Sequence, residues 1–138
     1  MHLSRRHARY IGSTAIAGVV VLQAFNSFAC YNHDLLGFLG ATAVFVGIPL
    51  LPALISLATQ NPLRAAGSAL LFAPWPIFAY YIDCGRPYSD GGASMIYVAV
   101  LLWGTITSLI GALVTNFITQ NLDIEISDTP HEKKLNPQ

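Results

Sequence analysis

SMIYVAVLLWGTITSLIGALVTNFI, residues 94–118, holds no Asp, Glu, Lys, Arg or His. A helix rises 1.5 Å per residue, so roughly 20 apolar residues reach across a hydrocarbon core about 30 Å thick. This stretch is longer than that. In lipid the only other way to satisfy every backbone amide is a closed barrel, whose strands alternate polar and apolar side chains. Neither this stretch nor AIAGVVVL at residues 15–22 alternates. Both read as transmembrane helix.

Working outward, the few charges divide the rest of the chain. None falls between Arg9 and Asp34, from Leu35 to Leu63, from Ala65 to Ile82, or from Gly91 to Leu122. The spans expected from these runs are residues 10–28, 35–58, 65–82 and 94–118. Short connections make neighbours antiparallel, so the fold class is all-α, an integral membrane bundle of four transmembrane helices running up-down-up-down. Residues 1–119 form this domain, and residues 120–138 are a polar tail expected to be disordered and cytoplasmic. Composition agrees, with 54% apolar residues and 10% charged, where a soluble domain carries about 25% charged. A soluble globule is excluded. The formal net charge is zero, which leaves no positive field to gather nucleic acid.

Orientation follows the basic residues. With the N-terminus cytoplasmic, Arg5, Arg6, Arg9, Arg64, Lys133 and Lys134 lie inside and Arg86 lies outside, as the positive-inside rule requires. The expected setting is a bacterial inner membrane, N-in and C-in, with short periplasmic loops at residues 29–34 and 83–93. A cleaved signal peptide is the alternative for the first span, since residues 1–9 are basic and Ser27-Phe-Ala29 has the small-x-small form. Gln23, Asn26 and the length of the run favour an uncleaved helix. Arg5-Arg6 lacks the hydrophobic residues expected after a twin-arginine pair.

This threading puts Cys30 and Cys84 on the same side at similar depth. In an oxidising compartment such thiols pair if their Cα atoms come within about 7 Å. The bridge would close a loop of roughly 55 residues and remove on the order of 4 kcal/mol of denatured-state freedom in the chain-entropy model. Two free buried thiols are one alternative. A metal site is the other, because Cys30-x-x-His33 with Asp34, and then Asp83-Cys84, has suitable ligand types. A single Cys-x-x-His without a matching second pair argues against it. Four-span quinone oxidoreductases that make disulfides use two cysteine pairs, and this chain has 2 Cys in all.

Proton-coupled carriers keep an ionisable group at mid-depth, and none of the four spans contains one. The glutamate that small multidrug-type carriers need in their first helix is missing. Gln23, Asn26, Thr42, Thr105, Thr107, Ser108, Thr115 and Asn116 read as polar cement between helices. Small residues four apart mark helix contacts: Gly104, Ser108 and Ala112 in the fourth span, Gly37 and Ala41 in the second, Thr14 and Gly18 in the first. Pro49 and Pro52 in the second span, and Pro74 and Pro76 in the third, should kink or partly unwind their helices. Trp75 lies deep, while Tyr80, Tyr81, Tyr88 and Tyr97 suit an outer interfacial belt.

No glycine-rich phosphate cradle, nucleophile with its base, or paired carboxylates appear. No catalytic residue, cofactor or metal ligand is assigned, and the chain is expected not to be an enzyme. The outward residues His33, Asp34, Asp83, Arg86, Tyr88 and Asp90 form the candidate partner-binding surface, since Arg and Tyr commonly anchor interfaces. The alternation of Leu122, Ile124 and Ile126 with polar residues has a strand pattern that a partner's sheet edge can accept. In size and number of spans the chain resembles the small four-span immunity proteins of pore-forming toxins, through topology and not through a shared motif. The function expected is recognition of a toxin or another membrane protein from within the bilayer. A small transporter or channel built on the proline-broken helices is the alternative, as is an accessory subunit of a larger membrane complex.

Overall fold

The computed structural model describes residues 2–85 and 95–127, and it is mostly helical. Helix α1, Arg5–Phe25, begins where the Ser4 side chain accepts a hydrogen bond from the His7 amide, satisfying one of the unpaired donors of the first turn. A π turn, Asn26–Cys30, carries it on without a break, so the first apolar segment is Arg5–Cys30 rather than residues 10–28. The cap draws the three arginines into the helix. They were expected to precede it.

The second segment is two helices. Asp34 caps α2, Leu35–Thr42, by accepting from the Gly37 amide at 2.8 Å. A π turn, Ala43–Gly47, and a tight turn then lead to α3, Leu51–Ala58. The two halves are bent by 74°. The cause is the missing amides of Pro49 and Pro52. The Ile48 carbonyl, which Pro52 cannot reach as a donor, accepts from Leu51 at 3.2 Å instead, and Pro52 itself sits in the first turn of α3, where a proline is tolerated. The kink or partial unwinding expected within residues 35–58 thus takes the form of a sharply bent pair.

Helices α4, Leu63–Phe72, and α5, Pro74–Tyr80, with a closing π turn at Tyr81–Gly85, behave differently. Pro74 starts α5 at its first position, so the apolar segment Leu63–Gly85 runs on as one unit. Helix α6, Ile96–Asn121, is the most apolar of the long segments. Among the described residues, three helical segments are able by length and composition to cross a membrane, or up to four if the bent pair is one span. Val21, Ile55, Leu70, Leu102, Leu113 and Phe117 are among the many large apolar side chains left exposed. Such a surface is costly in water and suited to hydrocarbon.

Helix α4 is the hub, packed chiefly on α6 and also on α1 and α3. Its buried face is Ala65, Ala66, Ser68, Ala69 and Phe72, and that of α6 includes Val100, Gly104, Ser108 and Gly111. Small side chains let the two backbones come together. A Cβ on Gly67 would overlap the Thr115 hydroxyl and lie 2.5 Å from the Gly111 carbonyl, and one on Gly104 would lie 2.6 Å from the Phe72 ring. Ser68 donates to the Ser108 carbonyl at 2.8 Å, and the Trp75 indole donates to Thr107 at 3.0 Å. Of the expected stripe in the fourth span, Gly104 and Ser108 are buried and Ala112 is partly so, with Gly111 completing the contact. The Gly37 and Ala41 pair does not form such a seat. Helix α2 has no buried residue, and the space over Gly37 is filled by His33 and Asp34 of its own cap. Gly18 likewise faces open space.

At the end of the bundle where both described termini lie, β1, His2–Ser4, pairs in parallel with β2, Glu125–Ser127. The strand pattern after α6 therefore meets this chain's own N-terminal residues. Of the polar tail, residues 128–138 lie outside the described residues, as do residues 86–94 with Arg86, Tyr88 and Asp90.

Gly67→Ala should destabilise the bundle by about 1–3 kcal/mol through overpacking, read as a lower unfolding midpoint in detergent. Gly18→Ala, with nothing in its way, should leave that midpoint unchanged or raise it.

Candidate functional site

At the opposite end of the bundle, two π turns deliver the cysteines. Asn26–Cys30 ends the first apolar segment and Tyr81–Gly85 ends the segment from Leu63, and they leave Cys30 and Cys84 at disulfide distance, with Cα atoms 5.9 Å apart. That separation lies within the range a disulfide spans. It joins segments 54 residues apart in sequence.

A second link lies beside the cysteines. The Tyr31 hydroxyl donates to an Asp83 carboxylate oxygen. The Tyr31 ring stacks on His33 at 5.6 Å and meets Tyr97 of α6 edge-on at 5.5 Å, while Tyr97 packs on Phe45 at 4.8 Å. Asn32, in the left-handed conformation with φ 50°, turns the chain between Tyr31 and His33; asparagine tolerates that region better than most residues. The approach to α2, the π turn after α5 and the start of α6 thus meet on one tyrosine. Burial, and then the bond to Asp83, hold the Tyr31 phenol well above the usual phenol range, so it serves as a donor rather than a base.

Beneath this cap lies a buried polar layer. Gln23 is 1% exposed, and Asn26 and Ser27 are fully buried. Gln23 donates to Ser27 at 3.3 Å on its own helix, and Asn26 donates across the bundle to the Pro76 carbonyl at 2.9 Å. The Tyr97 hydroxyl stands within interaction range of Gln23, Asn26 and Tyr31. Among the described residues, no well-formed hydrogen bond reaches the buried acceptor oxygens Gln23 Oε1 and Asn26 Oδ1, the Tyr97 hydroxyl, Asp83 Oδ1 or His33 Nδ1. A buried polar atom with no partner at all costs on the order of 1–3 kcal/mol. This layer is where the bundle trades stability for polarity.

Of the residues singled out from sequence, Cys30, Cys84, His33 and Asp83 are gathered here. Asp34 is beside them, with its carboxylate engaged by the Gly37 amide. Arg86, Tyr88 and Asp90 belong to the same expected surface and lie outside the described residues. Among the described residues, no three His, Cys, Asp or Glu are grouped to hold a metal ion. Tyr31 and Tyr97 hold the cluster together, yet sequence suggested for them only a loop position and an interfacial belt. The signal available was a tyrosine directly after Cys30 and an aspartate directly before Cys84: whatever joins the cysteines also brings these two together. Comparison with protein families, with curated proteins and with solved structures found no match for this chain.

Two outcomes follow from the geometry. Denatured protein prepared under thiol-free conditions should take up alkylating reagent at Cys30 and Cys84 only after reduction, whereas uptake at both before reduction would show free thiols. In alkaline titration of phenolate absorbance, Tyr31 should ionise later than an exposed tyrosine. A raised phenol pKa stabilises the fold fully below the usual phenol value, and that contribution is lost as pH rises from there toward the folded value. Tyr31→Phe should remove the late absorbance and this alkaline loss of stability together.

Proposed function

We propose that the chain is a polytopic protein of a bacterial inner membrane, four spans with both termini cytoplasmic, that acts by recognition at its outward face. Its partner is a membrane-active or periplasmic toxin, so the role is that of an immunity protein. The observation that carries this is the joining of two loops from different segments into one patch, by the Cys30–Cys84 approach and by the Tyr31–Asp83 hydrogen bond. A bridge there keeps the patch in one shape, and a preformed surface loses less freedom on binding. His33 and Asp83 lie in this patch, and Arg86, Tyr88 and Asp90 follow directly in sequence. Six of the seven Lys and Arg fall on the cytoplasmic side in this threading, which favours it.

Transport is the second reading, and it too has its own support. The buried acceptors of Gln23 and Asn26 and the 74° break in the second segment are features that substrate paths in membranes use. The lack of an ionisable side chain at mid-depth weighs against an ion-coupled carrier.

The discriminating experiment expresses the chain in cells challenged with a toxin encoded beside its gene. Protection is expected, and His33→Ala with Asp83→Asn, or Arg86→Ala with Tyr88→Ala and Asp90→Ala, should abolish it while the amount in the membrane stays the same. Undiminished protection in both variants would overturn the outward surface. Loss of a solute flux on changing Gln23 and Asn26, with no protection from any toxin tested, would replace recognition by transport.

A further inference from the structure

The arginine-bearing start of α1 is separate from everything assigned above. Arg5, Arg6, Arg9, Tyr10 and Ser13 line a concavity of about 430 Å³ at the end of the bundle remote from the cysteines. That volume is in the range of small-ligand sites, about 300–1,000 Å³. Three arginines, a tyrosine and a serine line it, and among the described residues no acidic side chain does. The first turn of α1 carries no acidic residue. The positions explain the convergence, because residues 5, 6, 9, 10 and 13 are spaced so that they share one side of a helix.

One member is held in place from another element. Arg5 Nη2 donates to the Thr59 carbonyl at 3.1 Å, where α3 ends, whereas Arg6, Arg9 and Tyr10 are exposed. One guanidinium is thus fixed and two are in reach of a ligand. About three turns farther along the helix, on the Tyr10 side, comes Val21, large, apolar and exposed. The concavity therefore lies at the charged end of a helix whose wall turns apolar farther along.

We propose that this concavity binds the phosphate of an anionic phospholipid headgroup. Guanidinium forks match phosphate oxygens in pairs, Tyr10 and Ser13 supply hydroxyl donors, and the exposed apolar side of α1 lies along the acyl chains. A soluble phosphate would meet the same donors and leave that apolar wall unused. Basic pockets next to membrane spans select anionic headgroups through this combination. The site needs the membrane setting of the proposed function and not its partner, so one can fail while the other stands.

The test uses the full chain in nanodiscs of phosphatidylcholine, with or without phosphatidylglycerol, and reads lipid retained on detergent release by native mass spectrometry together with the thermal midpoint. Wild type should retain phosphatidylglycerol and gain thermal stability from it. Arg6→Gln/Arg9→Gln should weaken retention at least about tenfold, as expected from losing charge-assisted hydrogen bonds, with an unchanged midpoint in phosphatidylcholine alone. Lys133→Gln/Lys134→Gln, which removes the same charge elsewhere, should retain lipid as wild type does. Should the double arginine variant not accumulate, Arg9→Gln is read in the same way. Equal retention by wild type and the arginine variant would overturn the site, as would equal losses in the arginine and lysine variants. Stabilisation in phosphatidylcholine discs by inorganic phosphate alone, matching that given by phosphatidylglycerol, would overturn the lipid assignment.

Discussion

A backbone amide or carbonyl in hydrocarbon has no water to bond, so each one must be satisfied by the chain itself. In a chain this apolar the helices follow from that constraint, and so do the departures from them. Each proline removes a donor, and the structure meets the loss locally where it can. The Ile48 carbonyl, which Pro52 leaves without its usual donor, takes the Leu51 amide. Polar side chains add further bonds to backbone carbonyls: the Ser56 hydroxyl donates to that of Pro52, and Asn26, in the π turn after α1, donates across the bundle to that of Pro76. Part of the polarity inside the bundle thus serves its own backbone.

The same constraint explains why packing depends on small residues. Lipid tails are as apolar as leucine, so the hydrophobic effect does little to hold one helix against another, and close contact has to do it. Gly67 and Gly111 let α4 and α6 touch backbone to backbone, and Ser68 uses the proximity to reach the Ser108 carbonyl. With α4 held in this way, the segment from Leu63 delivers Cys84 and Asp83 to the place where α1 delivers Cys30 and Tyr31. The cluster at that end is a consequence of helix length and register, and its buried, unsatisfied acceptors are tolerable because the contacts below them are close.

Much of this was legible in the sequence, for identifiable reasons. Charge-free runs located the helical segments, and the end at which each run stops placed the two cysteines together. The start of α2 at Leu35 was marked by the charge of Asp34, whereas that of α1 was less legible, because Ser4 caps it by geometry that charge patterns do not report, so that Arg5, Arg6 and Arg9 lie inside α1. Pro49 and Pro52 announced a break without its size, which depends on which carbonyls find new donors. Gly37 and Ala41 show how weak a signal small-residue spacing is alone, since small residues four apart recur by chance in a glycine- and alanine-rich chain, and among the described residues no helix buries them. Tyr31 and Asp83 meet through the fold of two distant turns, and their trace in the sequence is only their places beside Cys30 and Cys84.

The central claim is that this polypeptide is solvated by lipid and threaded an even number of times, with the cysteine cluster on one side and both ends on the other. Paired fusions test it most directly, with a reporter active only in the cytoplasm and one active only outside it, each placed after Gly85 and after Gln138. The outside reporter is expected to be active at Gly85 and the cytoplasmic reporter at Gln138. Activity of one and the same reporter at both positions would contradict it.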